Sequence, residues 1–146
     1  YVEAFKEAGA HIVTVHLEAC KDVGATLGKI HDCGMKAGLS ICPETPVSAV
    51  EPFLPQIEML LIMSVHPGFG GQKFIPESLD KIREARQKIQ AGGYNIDIQV
   101  DGGIYLTNVR EVLDAGANII VAGSAVFKGD PGENTKAFME ILRSYE

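Results

Sequence analysis

The residues best suited to chemistry sit where apolar runs end. Met59-Leu60-Leu61-Ile62-Met63 gives way to Ser64-Val65-His66-Pro67-Gly68-Phe69-Gly70-Gly71-Gln72-Lys73-Phe74, and Pro76-Glu77-Ser78 then opens a polar helical pattern. Glycines let backbone approach an anion closely, and a following helix start offers unpaired N–H groups and the positive end of a dipole. The chemistry this allows is a phosphate or other oxyanion cradle at the C-terminal end of a parallel strand. Taken alone, a glycine-rich turn reads first as a tight βα connection. Neither the dinucleotide fingerprint nor the P-loop fits, because the spacing differs and no Lys-Ser/Thr follows the last glycine. Two later breaks have a similar character: Asp101-Gly102-Gly103 and Gly123-Ser124. Read alone, Asp101 suits the capping of a tight Gly-Gly turn.

Strands and helices must alternate to position these groups. A helix over Val2–Ala8 stops at Gly9, and a strand over His11–Leu17 puts Val13, Val15 and Leu17 on one face and Thr14, His16 and Glu18 on the other. A helix over Gly24–Cys33, a strand over Lys36–Cys42, a helix over Val47–Leu54 and a strand over Glu58–Val65 follow. Further expectations are a helix over Glu77–Gln90, a strand from Ile96, a helix over Thr107–Ala115, a strand over Asn118–Ala122 and a helix over Asn134–Ser144. The junctions Ala8-Gly9-Ala10-His11-Ile12-Val13 and Ala115-Gly116-Ala117-Asn118-Ile119-Ile120 are nearly the same, as a repeated unit requires. Such alternation implies a parallel sheet, either doubly wound or part of a (β/α)8 barrel. Asp97, Gln99 and Asp101 share one strand face, and the glycine breaks fall at strand C-termini; both features favour the barrel.

Composition excludes several partners. With 46% hydrophobic and 22% charged residues the chain reads as an ordinary globular domain. A net charge of -6 without a basic stripe argues against nucleic acid and anionic membrane. Cys20, Cys33 and Cys42 show neither a disulfide framework nor zinc-ligand spacing, so a reducing cytoplasm is expected. No apolar run approaches the ~20 residues of a membrane span.

Val13-Thr14-Val15-His16-Leu17-Glu18-Ala19, Met63 to Phe74, Val100-Asp101-Gly102-Gly103-Ile104 and Val121-Ala122-Gly123-Ser124-Ala125 together resemble the successive motifs of the ribulose-phosphate 3-epimerase family. The resemblance implies a TIM-barrel isomerase of carbohydrate metabolism, in the pentose phosphate pathway, that inverts C3 of ribulose 5-phosphate to give xylulose 5-phosphate. Two aspartates would exchange the proton through an enediolate, assisted by one divalent metal ion (Zn, Fe, Mn or Co). Asp101 matches an acid/base that is also a metal ligand. Gly68, Phe69, Gly70 and Gly71 match the substrate loop, Gly102 and Gly103 lie beside Asp101, and Gly123 with Ser124 match the phosphate loop. Met63 matches a methionine near the reacting carbons. His16 is read as a hydrogen-bonded interior residue rather than a ligand, and His11, His31 and His66 as surface or loop groups. Glu3/Lys6/Glu7 and Lys81/Arg83/Glu84/Arg86 are read as solvated helix faces.

The chain also departs from the pattern. The motifs of the family's first three strands, with the partner aspartate and the histidine ligands, are not in it. The expectation is an N-terminally truncated epimerase, residues 1–146 forming the last five β/α units of a single phosphate-binding barrel domain that is a homo-oligomer at full length. Alone it would lack epimerase activity and hold a catalytic metal poorly, and its unpaired sheet edges would invite association. Cys42-Pro43-Glu44-Thr45-Pro46 resembles allulose-6-phosphate 3-epimerases, which leaves the sugar length open. A phosphate-binding decarboxylase or synthase would show a Lys at a strand end, and none is present. A non-catalytic phosphate-binding half-barrel is the reading from a different class.

Overall fold

In the computed structural model, which describes residues 1–146, five strands lie parallel in sequence order. They are β1 (Ile12–His16), β2 (Lys36–Ile41), β3 (Met59–Met63), β4 (Asp97–Asp101) and β5 (Ile119–Val121). Six helices accompany them: α1 (Val2–Glu7), α2 (Val23–Asp32), α3 (Ser78–Ala91), α4 (Val109–Ala115), α5 (Ser124–Phe127) and α6 (Pro131–Arg143). Each strand pairs with the next, so the order never reverses. A doubly wound sheet reverses once and carries helices on both faces. Here one face alone meets the helices, as in a barrel: Leu39, Ile41, Leu60, Ile62, Ile98 and Val100 join Leu27, Ile30, Ile82, Ile89 and Val112 in one buried cluster.

The opposite face is crossed by the register rows Thr14–Gly38, Ser40–Leu61–Gln99 and Met63–Asp101. Gly38 is required in the first row, since a Cβ there would stand 2.3 Å from Thr14 Oγ1. No helix is long and apolar enough to cross a membrane.

Local sequence explains the boundaries. Asp22 caps α2 by accepting from Ala25 N–H at 3.0 Å, and Asp130 caps α6 by accepting from Glu133 N–H at 3.1 Å. Pro131 occupies the first turn of α6, which therefore begins ahead of the expected Asn134. The helix expected over Val47–Leu54 is instead two 3-10 segments, Val47–Ala49 and Glu51–Gln56. Pro52 and Pro55 remove the N–H donors that an α-helix would need there. The short α5 was not foreseen.

Arg86 corrects the reading of α3 as a wholly solvated charged face. Its guanidinium donates to Gly116 O at 3.0 Å and Ile96 O at 3.2 Å, tying α3 to the end of α4 and the entry to β4. Arg86→Met keeps the stem but leaves both carbonyls without this donor. We expect a loss of about 1.5–3 kcal/mol in urea unfolding; an unchanged midpoint would show that the clip is idle.

Candidate active site

The site forms where β3 and β4 end side by side. Ser64 continues the ladder by one step, donating its N–H to Asp101 O at 3.0 Å, and its buried hydroxyl donates to Gly102 O at 2.6 Å. Ile75 N–H then returns to Ser64 O at 2.9 Å, so the glycine loop leaves and re-enters at one residue. Within the loop, Gln72 Nε2 donates to His66 O at 2.6 Å and Phe69 O at 3.1 Å.

Two glycines of β4's exit make this possible. Gly102 (φ +131°) and Gly103 (φ +67°) adopt backbone that side chains disfavour. A Cβ on Gly102 would lie 2.8 Å from Val65 N, and one on Gly103 only 2.2 Å from Phe74 N. Asn108 holds the next turn, donating to Gly103 O at 2.9 Å and accepting from Tyr105 N–H at 2.8 Å. The Tyr105 hydroxyl in turn meets Ser124 Oγ at 3.3 Å.

The pocket so enclosed is lined by Phe69, Gly70, Gly71, Asp101, Gly102, Gly103, Gly123 and Ser124. Of the residues singled out in the sequence, Gly68 does not line it. Met63 is buried as the cross-strand partner of Asp101 and does not line it either. Gln72 and Tyr105 were missed as lining residues. Gln72 lay within the glycine stretch and Tyr105 just past Gly103, but neither type announces an anion.

The Asp101 carboxyl faces this pocket, not the helices. Burial against the pocket walls raises its pKa above the usual aspartate value. It is the one acidic side chain in the lining, and no histidine or cysteine joins it. One carboxylate falls short of the three or four donors of a catalytic divalent-metal site, so these residues do not complete one.

A second cluster lies at the ends of β1 and β2. One ligand atom each from His16, Glu18 and Cys42 falls within 4.8 Å of the others. The His16 ring is exposed and makes no hydrogen bond, contrary to its reading as a hydrogen-bonded interior residue, because its strand is an open sheet edge. Glu18 Oε1 accepts from Cys42 N–H at 2.7 Å and from the Thr45 hydroxyl at 2.5 Å. Desolvation alone would raise the Glu18 pKa, but these bonds hold it below the usual value. Desolvation and the Glu18 charge push the Cys42 thiol up. Lys81 is not simply solvated either: it donates to Cys42 O at 2.9 Å and Pro43 O at 3.2 Å. His66 pairs with Glu44 at 2.7 Å, and His31 with Glu58 at 3.1 Å.

Residues 1–127 match the family model described as "Ribulose-phosphate 3 epimerase family". The chain is 48% identical over 126 residues to a protein named ribulose-phosphate 3-epimerase from Escherichia coli (strain K12), covering 86% of this chain and 56% of that protein. It is 52% identical over 129 residues to one of the same name from Synechocystis sp. (strain ATCC 27184 / PCC 6803 / Kazusa), with 87% and 56% covered. The chain thus spans about half the length of the curated relatives it matches. Among solved structures, 3-hexulose-6-phosphate synthase from Salmonella typhimurium superposes with a TM-score of 0.74 at 20% identity, covering 99% of this chain and 67% of that one. A tryptophan synthase alpha-subunit from Pyrococcus furiosus gives 0.66 at 21% identity, covering 99% and 56%. At such identities these two show the fold alone, and that fold is of TIM-barrel type, of which this chain holds five β/α units.

Two outcomes follow from the site's geometry. Gly103→Ala should lower stability and displace the glycine loop, whereas Gly70→Ala, which meets nothing within 4 Å and needs no positive φ, should leave the urea midpoint within ~0.5–1 kcal/mol of wild type. Equal effects would mean that the close approach is not a constraint. Because the Asp101 pKa is raised by folding, the native state holds this proton to higher pH than the unfolded chain. Stability therefore falls as pH rises from about 3.9 through the folded pKa. Asp101→Asn should melt at a higher temperature than wild type at pH 7, with the gap closing as pH falls through the carboxylate range. A variant that melts lower at pH 7 contradicts the buried-charge account.

Proposed function

This chain belongs to the ribulose-phosphate 3-epimerase family, and on that premise we propose that its pocket binds a ketose 5-phosphate, with Asp101 exchanging the proton at C3. The observation that supports this most directly is Asp101 standing among three glycine turns in one pocket. The five β/α units serve as part of one phosphate-binding barrel domain.

The phosphate belongs beside Gly123 and Ser124. The amides at the start of α5 lack intrahelical acceptors, and the Ser124 hydroxyl, aligned by Tyr105, adds a donor. Gly70 and Gly71 close over the sugar from the other side. A C–H next to a ketone is a weak acid, so its base must approach closely and hold a pKa nearer neutrality than a solvated carboxylate does. Burial moves Asp101 in that direction. As the C3 proton leaves, charge moves toward the carbonyl oxygen, giving an enediolate. A divalent metal would supply Lewis-acid stabilisation of that charge, with Asp101 as the donor from this chain.

Inversion needs a second acid/base on the opposite face of the carbon, and the pocket holds none. Asp101 is then one half of a proton-exchanging pair. The relatives' names favour the pentulose over the hexulose phosphate, and Glu44 of the Pro-Glu-Thr-Pro turn engages His66 rather than lining the pocket.

Calorimetric titration of ribulose 5-phosphate into the chain should show binding without formation of xylulose 5-phosphate. Ser124→Asp, which sets a like charge against the phosphate, should weaken it at least ~10-fold. Undiminished binding by that variant would remove the phosphate assignment. Xylulose 5-phosphate produced by the chain itself would contradict Asp101 as a lone half of the pair.

A further inference from the structure

We propose that His16, Glu18 and Cys42 form a binding site for a divalent cation of the zinc class at the ends of β1 and β2, apart from Asp101 at the end of β4. The three candidate ligand atoms already lie within 4.8 Å of one another. A tetrahedral zinc ion with bonds of ~2.0–2.3 Å holds its ligand atoms roughly 3.3–3.8 Å apart. Closing the remaining ~1 Å asks only for side-chain rotation, which the exposed His16 ring can make while hydrogen bonds to Oε1 hold the Glu18 carboxylate in place.

The local fold explains why these residues converge. His16 closes β1, and the 3-10 turn Leu17–Ala19 bends the chain so that Glu18 reaches across to the end of β2. Cys42 follows β2 directly, and Ser40, two residues earlier, is the register partner of His16. Cys42 N–H and the Thr45 hydroxyl occupy Glu18 Oε1, which orients the carboxylate and leaves Oε2 for a ligand. Metal-binding carboxylates are commonly held in this manner by outer hydrogen bonds.

The donor set selects the ion. One imidazole nitrogen, one carboxylate oxygen and one thiolate sulfur suit a borderline-soft metal and disfavour magnesium or calcium, which take oxygen ligands. Three protein donors leave a fourth position for water.

Cobalt(II), titrated into the reduced, purified chain in place of zinc, should develop a thiolate-to-metal charge-transfer absorption that saturates at one equivalent and is discharged by Zn2+. Cys42→Ser should abolish the band, and His16→Ala should weaken binding at least ~10-fold. Thr45→Val, which removes one of the two hydrogen bonds that orient Glu18, should weaken it about 10-fold. Asp101→Asn should leave the band in place, and circular dichroism establishes that each variant is folded. Absence of the band at saturating cobalt would overturn the site. So would its persistence in Cys42→Ser, which would assign it to Cys20 or Cys33, or its loss in Asp101→Asn.

Discussion

The absence of two Cβ atoms, at Gly102 and Gly103, is the constraint on which the pocket depends. Where they would stand, the backbone at Val65 and Phe74 passes at 2.8 and 2.2 Å. That approach lets Ser64 link the ends of β3 and β4 through its amide and its hydroxyl. The loop between Val65 and Phe74 is then pinned at both ends and braced by Gln72, so Gly70 and Gly71 line the pocket with Asp101. Without the close approach the same residues would make three separate turns.

A second condition is topological. Because the strands follow in order without reversal, all their C-terminal ends gather on one rim, and the helices cover only one face. Strand alternation then divides labour: Ile98 and Val100 join the core while Gln99 and Asp101 face away from it. Asp101 is consequently shielded by pocket walls without gaining a charge partner, and its raised pKa follows from that. The arrangement places a desolvated acid at the site and leaves stability to the aliphatic layer behind it, a division common where function and stability compete. At the far side of the rim, His16, Glu18 and Cys42 gather by the same alternation on β1 and β2.

Much of this was legible from residue order. Alternation in Ile96–Val100 and glycine placement at strand ends identified the inward acid and the turns, because both are local properties. What escaped were contacts made across distance. His16 lies on an open edge, Lys81 reaches carbonyls at Cys42 and Pro43, and Arg86 reaches Gly116 and Ile96. Nothing in the local pattern of those basic residues distinguishes them from solvated neighbours such as Arg83. The misread segment at Val47–Leu54 had apolar spacing suited to a helix, but its prolines outweigh that spacing. Four-residue α5 is too short to show a period at all.

The central claim is that the loops after β3, β4 and β5 form one anion pocket around Asp101. Amide resonances followed by two-dimensional NMR during titration with inorganic phosphate test it directly. The account predicts that Gly71, Gly103, Gly123 and Ser124 shift together along a single binding curve. Shifts confined to one of these loops, or to the opposite ends of the strands near His11 and Lys36, would contradict it.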